Sequence, residues 1–364
     1  PPLTSPTQQS EDPPKKKRKR VPILKKKPHK GRWVGLLSLV YLAIILLVWY
    51  CIASISEEWW FSTALTYLPR APWLLPAVIL LVCSVVIHRK SIPFNVVSII
   101  IVLWLIMEFN IPSGAVAGFS KRENLVIVSC NIQDYEPNFR KVLNEIIRQD
   151  PDVIAFQEAR RIHPAFLEQY PDWHSLVVEQ FVVCSRYPIK KIGTCESRAF
   201  QRVTALAVEI ETPQGTIRLV NTHLMTARKG LIELSLGAIF SGEGPEEVEH
   251  FQRTREEEAS DTWLFVSGIS SESPLIIVGD FNMPSSSSIY EKNWSGYTNA
   301  FLATNWGYGY TSPCKSHRLW LEDTPWLRID HILTNAHWQV HSCDIGKTNG
   351  SDHRFISARI SLRD

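Results

Sequence analysis

Apolar residues are distributed along this chain in two regimes. Between residues 33 and 55, Leu, Ile, Val and aromatic side chains run almost without interruption and without a charge. At about 1.5 Å per residue, such a run covers a hydrocarbon core of about 30 Å, so it predicts a membrane-crossing helix. A secretory leader has a shorter apolar core and a small-residue cleavage site, and a soluble core helix shows a polar face. Residues 72–87 and 94–111 form two further apolar runs, the second with Glu108 near its end. Three crossings are expected over a membrane anchor spanning 33–112, with a re-entrant hairpin as the alternative for the last two.

After a short Gly/Ser linker at 113–121, the pattern changes to brief β-branched runs alternating with helical spacing. Residues 125–129 read as a strand ending in Asn131. Phe139, Val142, Leu143, Ile146 and Ile147 then recur at helical intervals until Pro151. Strands are expected at 153–156, leading into Gln157-Glu158, and at 181–184. A hairpin at 204–211 and 216–221 turns around Pro213-Gln214-Gly215. Residues 230–240 are strongly apolar, and 245–266 read as a charged amphipathic helix. A buried strand follows at 275–278 and breaks at Gly279. Further strands are expected at 328–333 and 355–362, giving an α/β domain over 122–364 without internal repeats.

Charge divides the chain in the same places. The overall +3 averages a tail, residues 1–32, whose eleven Lys/Arg against Glu11 and Asp12 balance to +9, with a neutral stretch at 33–119. The remainder therefore carries −6, which offers nucleic acid no broad attraction. The tail is rich in Pro, Lys and Arg with no periodic apolar positions, so it reads as a disordered cytoplasmic segment. Its Lys15–Arg20 cluster could pass for a nuclear address, which the apolar runs behind it argue against. The basic turn His88-Arg89-Lys90 belongs on the same side as the tail. Three crossings then put the α/β domain outside the cytoplasm. Cys51, Cys83 and Cys130 read as buried thiols, Cys184, Cys195, Cys314 and Cys343 could pair in an oxidising compartment, and no Cys/His spacing suggests zinc.

Strand ends carry the candidate chemistry. Gly279-Asp280-Phe281-Asn282 delivers a carboxylate and an amide past the end of a buried strand, where ligands of open α/β sheets gather. Asn131, Glu158, Asn221-Thr222-His223, Arg328-Ile329-Asp330 and Ser351-Asp352-His353 lie at corresponding places. Each has a bland explanation as a turn, a cap or a satisfied core histidine. Together they form a set of hard oxygen donors and two imidazoles, which suits Mg²⁺ or Mn²⁺ better than zinc.

This ordered set, with Ser185-Arg186-Tyr187-Pro188, resembles the endonuclease/exonuclease/phosphatase superfamily of DNase I-like nucleases, neutral sphingomyelinases and inositol phosphatases. The resemblance covers about residues 122–364 and implies a four-layer α/β/β/α sandwich preceded by the transmembrane helices. It implies Glu158 as principal metal ligand with Asn131 and Asp352 near the metal, and Asp280 as the group that activates water. It further implies Asn131, Asn282, His223 and His353 as phosphate-binding, and Asp330 as orienting His353. In the superfamily an aromatic residue usually follows that last Asp; here it is His331, which raises the question of what fills its place.

A three-span anchor ahead of such a domain is similar to bacterial membrane phosphoesterases of the teicoplanin-resistance type. A metal-dependent hydrolase of a lipid-linked phosphate ester or pyrophosphate is therefore expected. A membrane-tethered nuclease is the alternative, and a non-catalytic binding module the third reading.

Overall fold

The computed structural model describes residues 31–113, 124–269, 273–314, 321–347 and 350–363. The basic tail up to residue 30 and residues 114–121 of the linker lie outside them.

The β-branched runs that lack a polar face pair side by side in two sheets. Leu125–Asn131 (β1) lies parallel to Val153–Gln157 (β2), and both are buried along their whole length. His174–Val178 (β3) and Phe181–Ser185 (β4) extend the sheet beyond β2. The second sheet holds Ile189–Ser197 (β5), Arg202–Thr212 (β6), Gly215–His223 (β7), Leu275–Asp280 (β8), Thr298–Asn299 (β9) and Asp330–Thr334 (β10) in the order β5-β6-β7-β8-β10-β9. Trp338–Ile345 (β11) and Ile356–Leu362 (β12) complete the first, in the order β11-β12-β1-β2-β4-β3.

Alternation along the strands then builds the layers. Leu125, Ile127, Val153, Phe181 and Val183 of the first sheet meet Leu206, Val208, Leu219, Ile276 and Ile332 of the second in one core. The opposite face of the first sheet, with Val128, Ile154 and Val182, packs under helices Phe139–Ile147 and Pro164–Gln169. The outer face of the second, with Ala207, Val220 and Ile277, packs under Glu243–Ile269 and Ser288–Trp294. Each fully buried Leu, Ile or Phe contributes about 1.5–3 kcal/mol, so these three interfaces hold the α/β/β/α sandwich together. All seven cysteines are free thiols.

Two pairs of parallel neighbours, β1/β2 and β7/β8, run their C-terminal ends to one edge of the sandwich. Gly279 permits the second pairing. A Cβ there would stand 1.8 Å from Thr222 O, and the residue has φ +141°, so only glycine lets the strands approach.

The apolar runs are helical. Arg32–Glu58 and Arg89–Ile106 are each long and apolar enough to cross a membrane. The run expected at 72–87 is one arm of a bent pair: Trp60–Tyr67 turns by 92° into Ala71–Ile87. Pro69 lies at the bend, where its missing N–H and its push on Leu68 toward extended backbone stop the first arm. Two or three crossings are thus available.

Candidate active site

Asn131, at the end of β1, donates through Nδ2 to Glu158 Oε1 at 2.9 Å and to Asp280 Oδ2 at 3.1 Å, joining the edges of the two sheets. Beneath it, Gln157 Nε2 donates to Asn221 Oδ1 at 2.6 Å, and Asn221 Nδ2 returns a bond to Phe156 O at 2.9 Å. These amides fix the spacing between β2 and β7, and so between Glu158 and His223. Glu158 and Asn282 both lie at φ +52°, a left-handed conformation that costs a non-glycine residue free energy and is concentrated at functional sites.

Asp280 is almost fully buried and accepts on both oxygens: Oδ1 from Asn282 N at 2.9 Å, Oδ2 from Asn131 and from Asn282 Nδ2 at 3.1 Å. Burial pushes its pKa up to about 7. Asn282 also donates to Leu224 O at 2.9 Å, which ties the loop after β8 to the loop after β7. Asp330 sits opposite Asp280 in the antiparallel β8/β10 register.

His353 stands between these two acids. Its Nδ1 lies 2.8 Å from Asp330 Oδ2, and its Nε2 is 3.1 Å from Ser312 Oγ and 3.6 Å from Asp280 Oδ2. Burial works against the charged imidazole, but the carboxylates of Asp330 and Asp280 outweigh it and hold the pKa well above the ordinary histidine range. His223 is the converse. Burial, then the Arg202 guanidinium, keep it well below that range. With its Nδ1 at 2.8 Å from Gln180 Oε1, the neutral ring donates there and leaves a lone pair on Nε2.

That lone pair faces Glu158 Oε1 and Asp280 Oδ2, each at 3.7 Å. Asn131 Nδ2 donates to both of those oxygens, and the carboxylates of Glu158 and Asp280 are hard donors of the kind a divalent metal takes. Asp280, Asp330 and His353 form a buried group whose ligand atoms all lie within 4.8 Å of one another and could hold a metal ion. There the imidazole already bridges both carboxylates, and a proton satisfies it. Asp352 is joined less directly. Its carboxylate accepts from Ser351 Oγ at 3.3 Å, and that hydroxyl also donates to Asn131 O at 2.9 Å.

His331 takes the slot where an aromatic residue was expected. It is fully buried, with Nδ1 3.1 Å from Asn299 Nδ2 and Nε2 3.0 Å from Met283 O, and its ring lies against Phe281 and Tyr290. Burial lowers its pKa to about 4, so it packs as a neutral ring that also holds the loop after Asn282.

Several residues around the site left no mark in the sequence. Gln180 comes from the turn between β3 and β4, and Ser312 from an irregular loop. Arg202 donates to His223 O, while Glu258 Oε1 accepts from Met225 N at 2.6 Å. None belongs to a motif, and for Gln180 and Ser312 no sequence signal would have identified them.

An α/β/β/α sandwich that gathers carboxylates, amides and two imidazoles at one edge is the frame of a phosphoesterase or nuclease. Residues 107–353 match the Endonuclease/Exonuclease/phosphatase family, and the chain belongs to it. Members of the family are hydrolases acting on phosphoester bonds. Among solved structures, the chain is similar to a 3′ phosphatase, NExo, from Neisseria bound to a product DNA hairpin (16% identity, 66% of this chain and 100% of that one, TM-score 0.49). It is also similar to the human Nocturnin catalytic domain with bound sulfate (16%, 66% and 95%, 0.47) and to D. rerio TDP2 with a single-strand DNA product (13%, 66% and 100%, 0.47). No curated protein matches.

Proposed function

We propose that this chain is a membrane-anchored hydrolase, dependent on Mg²⁺ or Mn²⁺, that cleaves a phosphate ester or pyrophosphate carried by a lipid, with its catalytic domain outside the cytoplasm. One observation carries the reading: the catalytic edge of the sandwich is the edge fastened to the apolar helices. The loop that follows Asn282 seats its Ser287 and Ser288 hydroxyls on Glu57, at the end of the first apolar helix, and Ser286 on Glu108, just past the last. Trp326 Nε1, on the same edge, donates to Tyr67 O at 3.0 Å. A site held against a bilayer surface is poorly placed for a long duplex and well placed for a headgroup. Beside it, in the segment that follows His223, Ile232 just past one short helix and Phe240 on the next are 66% and 88% exposed. Exposed apolar side chains of this kind suit insertion among lipids.

In this mechanism Asp280 accepts a proton from the attacking water, with its orientation set by the Asn131 and Asn282 amides. His353, charged between Asp330 and Asp280, faces the phosphoryl oxygens and supplies the proton that the leaving oxygen needs, while Asp330 holds its ring. Those two amides and His223 are the further groups available to the phosphate. Glu158, with Asn131 and Asp352 nearby, would hold the cation, whose chemistry is to neutralise charge on the phosphoryl group.

The full chain in detergent or liposomes should hydrolyse polyprenyl or phospholipid phosphates far faster than single- or double-stranded DNA. Replacing Ile232 and Phe240 together by Ser should slow lipid turnover while sparing a small soluble phosphoester. Preferential cleavage of DNA would move the assignment to the tethered nuclease, and absence of hydrolysis on every substrate class would leave the binding module.

A further inference from the structure

We infer that the membrane bundle is part of the catalytic apparatus, and that Tyr67 and Arg255 are positioning residues transmitting its placement to Asn282. This rests on the hydrolase reading above. Arg255, on helix Glu243–Ile269, is almost completely buried, and each of its nitrogens is engaged. Its Nη2 donates to Asn282 O at 2.9 Å and its Nε to Met225 O at 2.8 Å, so one guanidinium pins the loops after β8 and β7 together. Its Nη1 donates to Gln252 and to Tyr67 OH at 3.1 Å, and the guanidinium carbon lies 5.2 Å from the centre of the Tyr67 ring.

Tyr67 is the last residue of the short arm before the bend, and its hydroxyl donates to Glu57 Oε1 at 2.7 Å. Glu57 closes the circuit. Its oxygens accept from the Ser287 hydroxyl and from Ser288 N at 2.9 Å, and Ser287 caps helix Ser288–Trp294. Asn282 is thus held from both sides by groups whose common anchor is Glu57. With its backbone at φ +52°, Asn282 is held at its N–H by Asp280 and at its carbonyl by this ring of bonds.

A parallel clamp, in which Glu108 meets Arg70, Arg328 and Ser286, secures the middle of the same loop. Breaking a buried charged pair leaves the other charge stranded, which makes Tyr67 the cleaner probe, since its substitution by Phe removes a bridge and no charge.

The test compares Tyr67→Phe with Tyr41→Phe in the full chain in detergent. Tyr41 is equally buried in the bundle, and its hydroxyl donates to Trp73 O, off the circuit. Two quantities are measured: steady-state hydrolysis of bis-p-nitrophenyl phosphate with Mg²⁺ or Mn²⁺, and amide hydrogen exchange. Tyr67→Phe should lower kcat about tenfold with KM unchanged. Exchange should rise over residues 281–288 and 224–226 and stay constant in β1 and β2. Tyr41→Phe should change neither. Arg255→Lys, which keeps the charge and loses the fork, should follow Tyr67→Phe.

Equal effects of both tyrosine substitutions, or exchange in those loops unmoved by Tyr67→Phe, would overturn the inference. An inactive wild type would instead count against the hydrolase reading, and the exchange comparison would still decide whether the bundle sets the loops.

Discussion

The Nδ1 of His353 lies 2.8 Å from Asp330 Oδ2, while Asp330 is itself the cross-strand partner of Asp280. One imidazole therefore divides two buried carboxylates. Asp280, pushed up by burial to about 7, must lose its proton to act as a base, so kcat/KM should rise as pH passes through about 7. It should fall again at a higher pH, where His353 deprotonates. Asp330→Asn removes a negative neighbour and stabilises the imidazolium less, so the alkaline limb should move to lower pH. A pH profile of the pair of proteins checks this, and an unmoved alkaline limb would separate His353 from the reaction.

The same histidine gives a sign to stability. Its folded pKa lies above its unfolded value of about 6.5, so its contribution is fully present below about pH 6.5 and is lost as pH rises through the folded value. Thermal midpoints taken across that range should decline less in Asp330→Asn than in the wild type, since less interaction remains to lose.

Glu158→Gln keeps the shape of the side chain and removes the negative charge that would hold a cation. Turnover should drop by about 10²-fold or more with the thermal midpoint little changed, and EDTA should do the same to the wild type. Calorimetric titration with Mg²⁺ or Mn²⁺ should show weakened binding in the variant. Undiminished turnover together with undiminished binding would remove Glu158 from the metal site.

Gly279→Ala places a Cβ against Thr222 O in a strand pair that has no room for it. A loss of about 3 kcal/mol or more is expected, read as a lower thermal midpoint and as loss of activity. Gly215→Ala is the matching control, since its φ of +119° is also strained but nothing lies within 4 Å of the added carbon. It should cost less.

The proposed topology follows from charge. A reporter fused after residue 364 should read as extracytoplasmic, and protease added to spheroplasts should reach the sandwich. A cytoplasmic signal would overturn the orientation and reopen soluble nucleotides and nucleic acids as substrates.

What the sequence determined by itself is local and periodic. Uninterrupted apolar runs marked the membrane-length helices, because a helix with no polar face can only be buried in lipid or protein. The strands β1, β2 and β8 were legible for the same reason, and their ends marked where Asn131, Glu158 and Asp280 would lie. The helix Phe139–Ile147 was legible from its spacing alone.

Tertiary structure decided the rest. The edge strand β5, with Lys190 and Lys191 exposed and two irregularities in its register, carries no clean alternation, and β3, β9 and β11 were equally silent. Gln180 and Ser312 reach the two histidines from segments that repeat nothing. In the sequence Glu57 is simply an acid after an apolar run, and Arg255 is one of many charges in the stretch 245–266. Their roles depend on partners such as Ser288, Tyr67 and Asn282 that only the packed chain brings within a hydrogen bond. Periodicity records which face of an element is buried, and it cannot record what lies across the interface, because that is set by the docking of two bodies far apart in sequence.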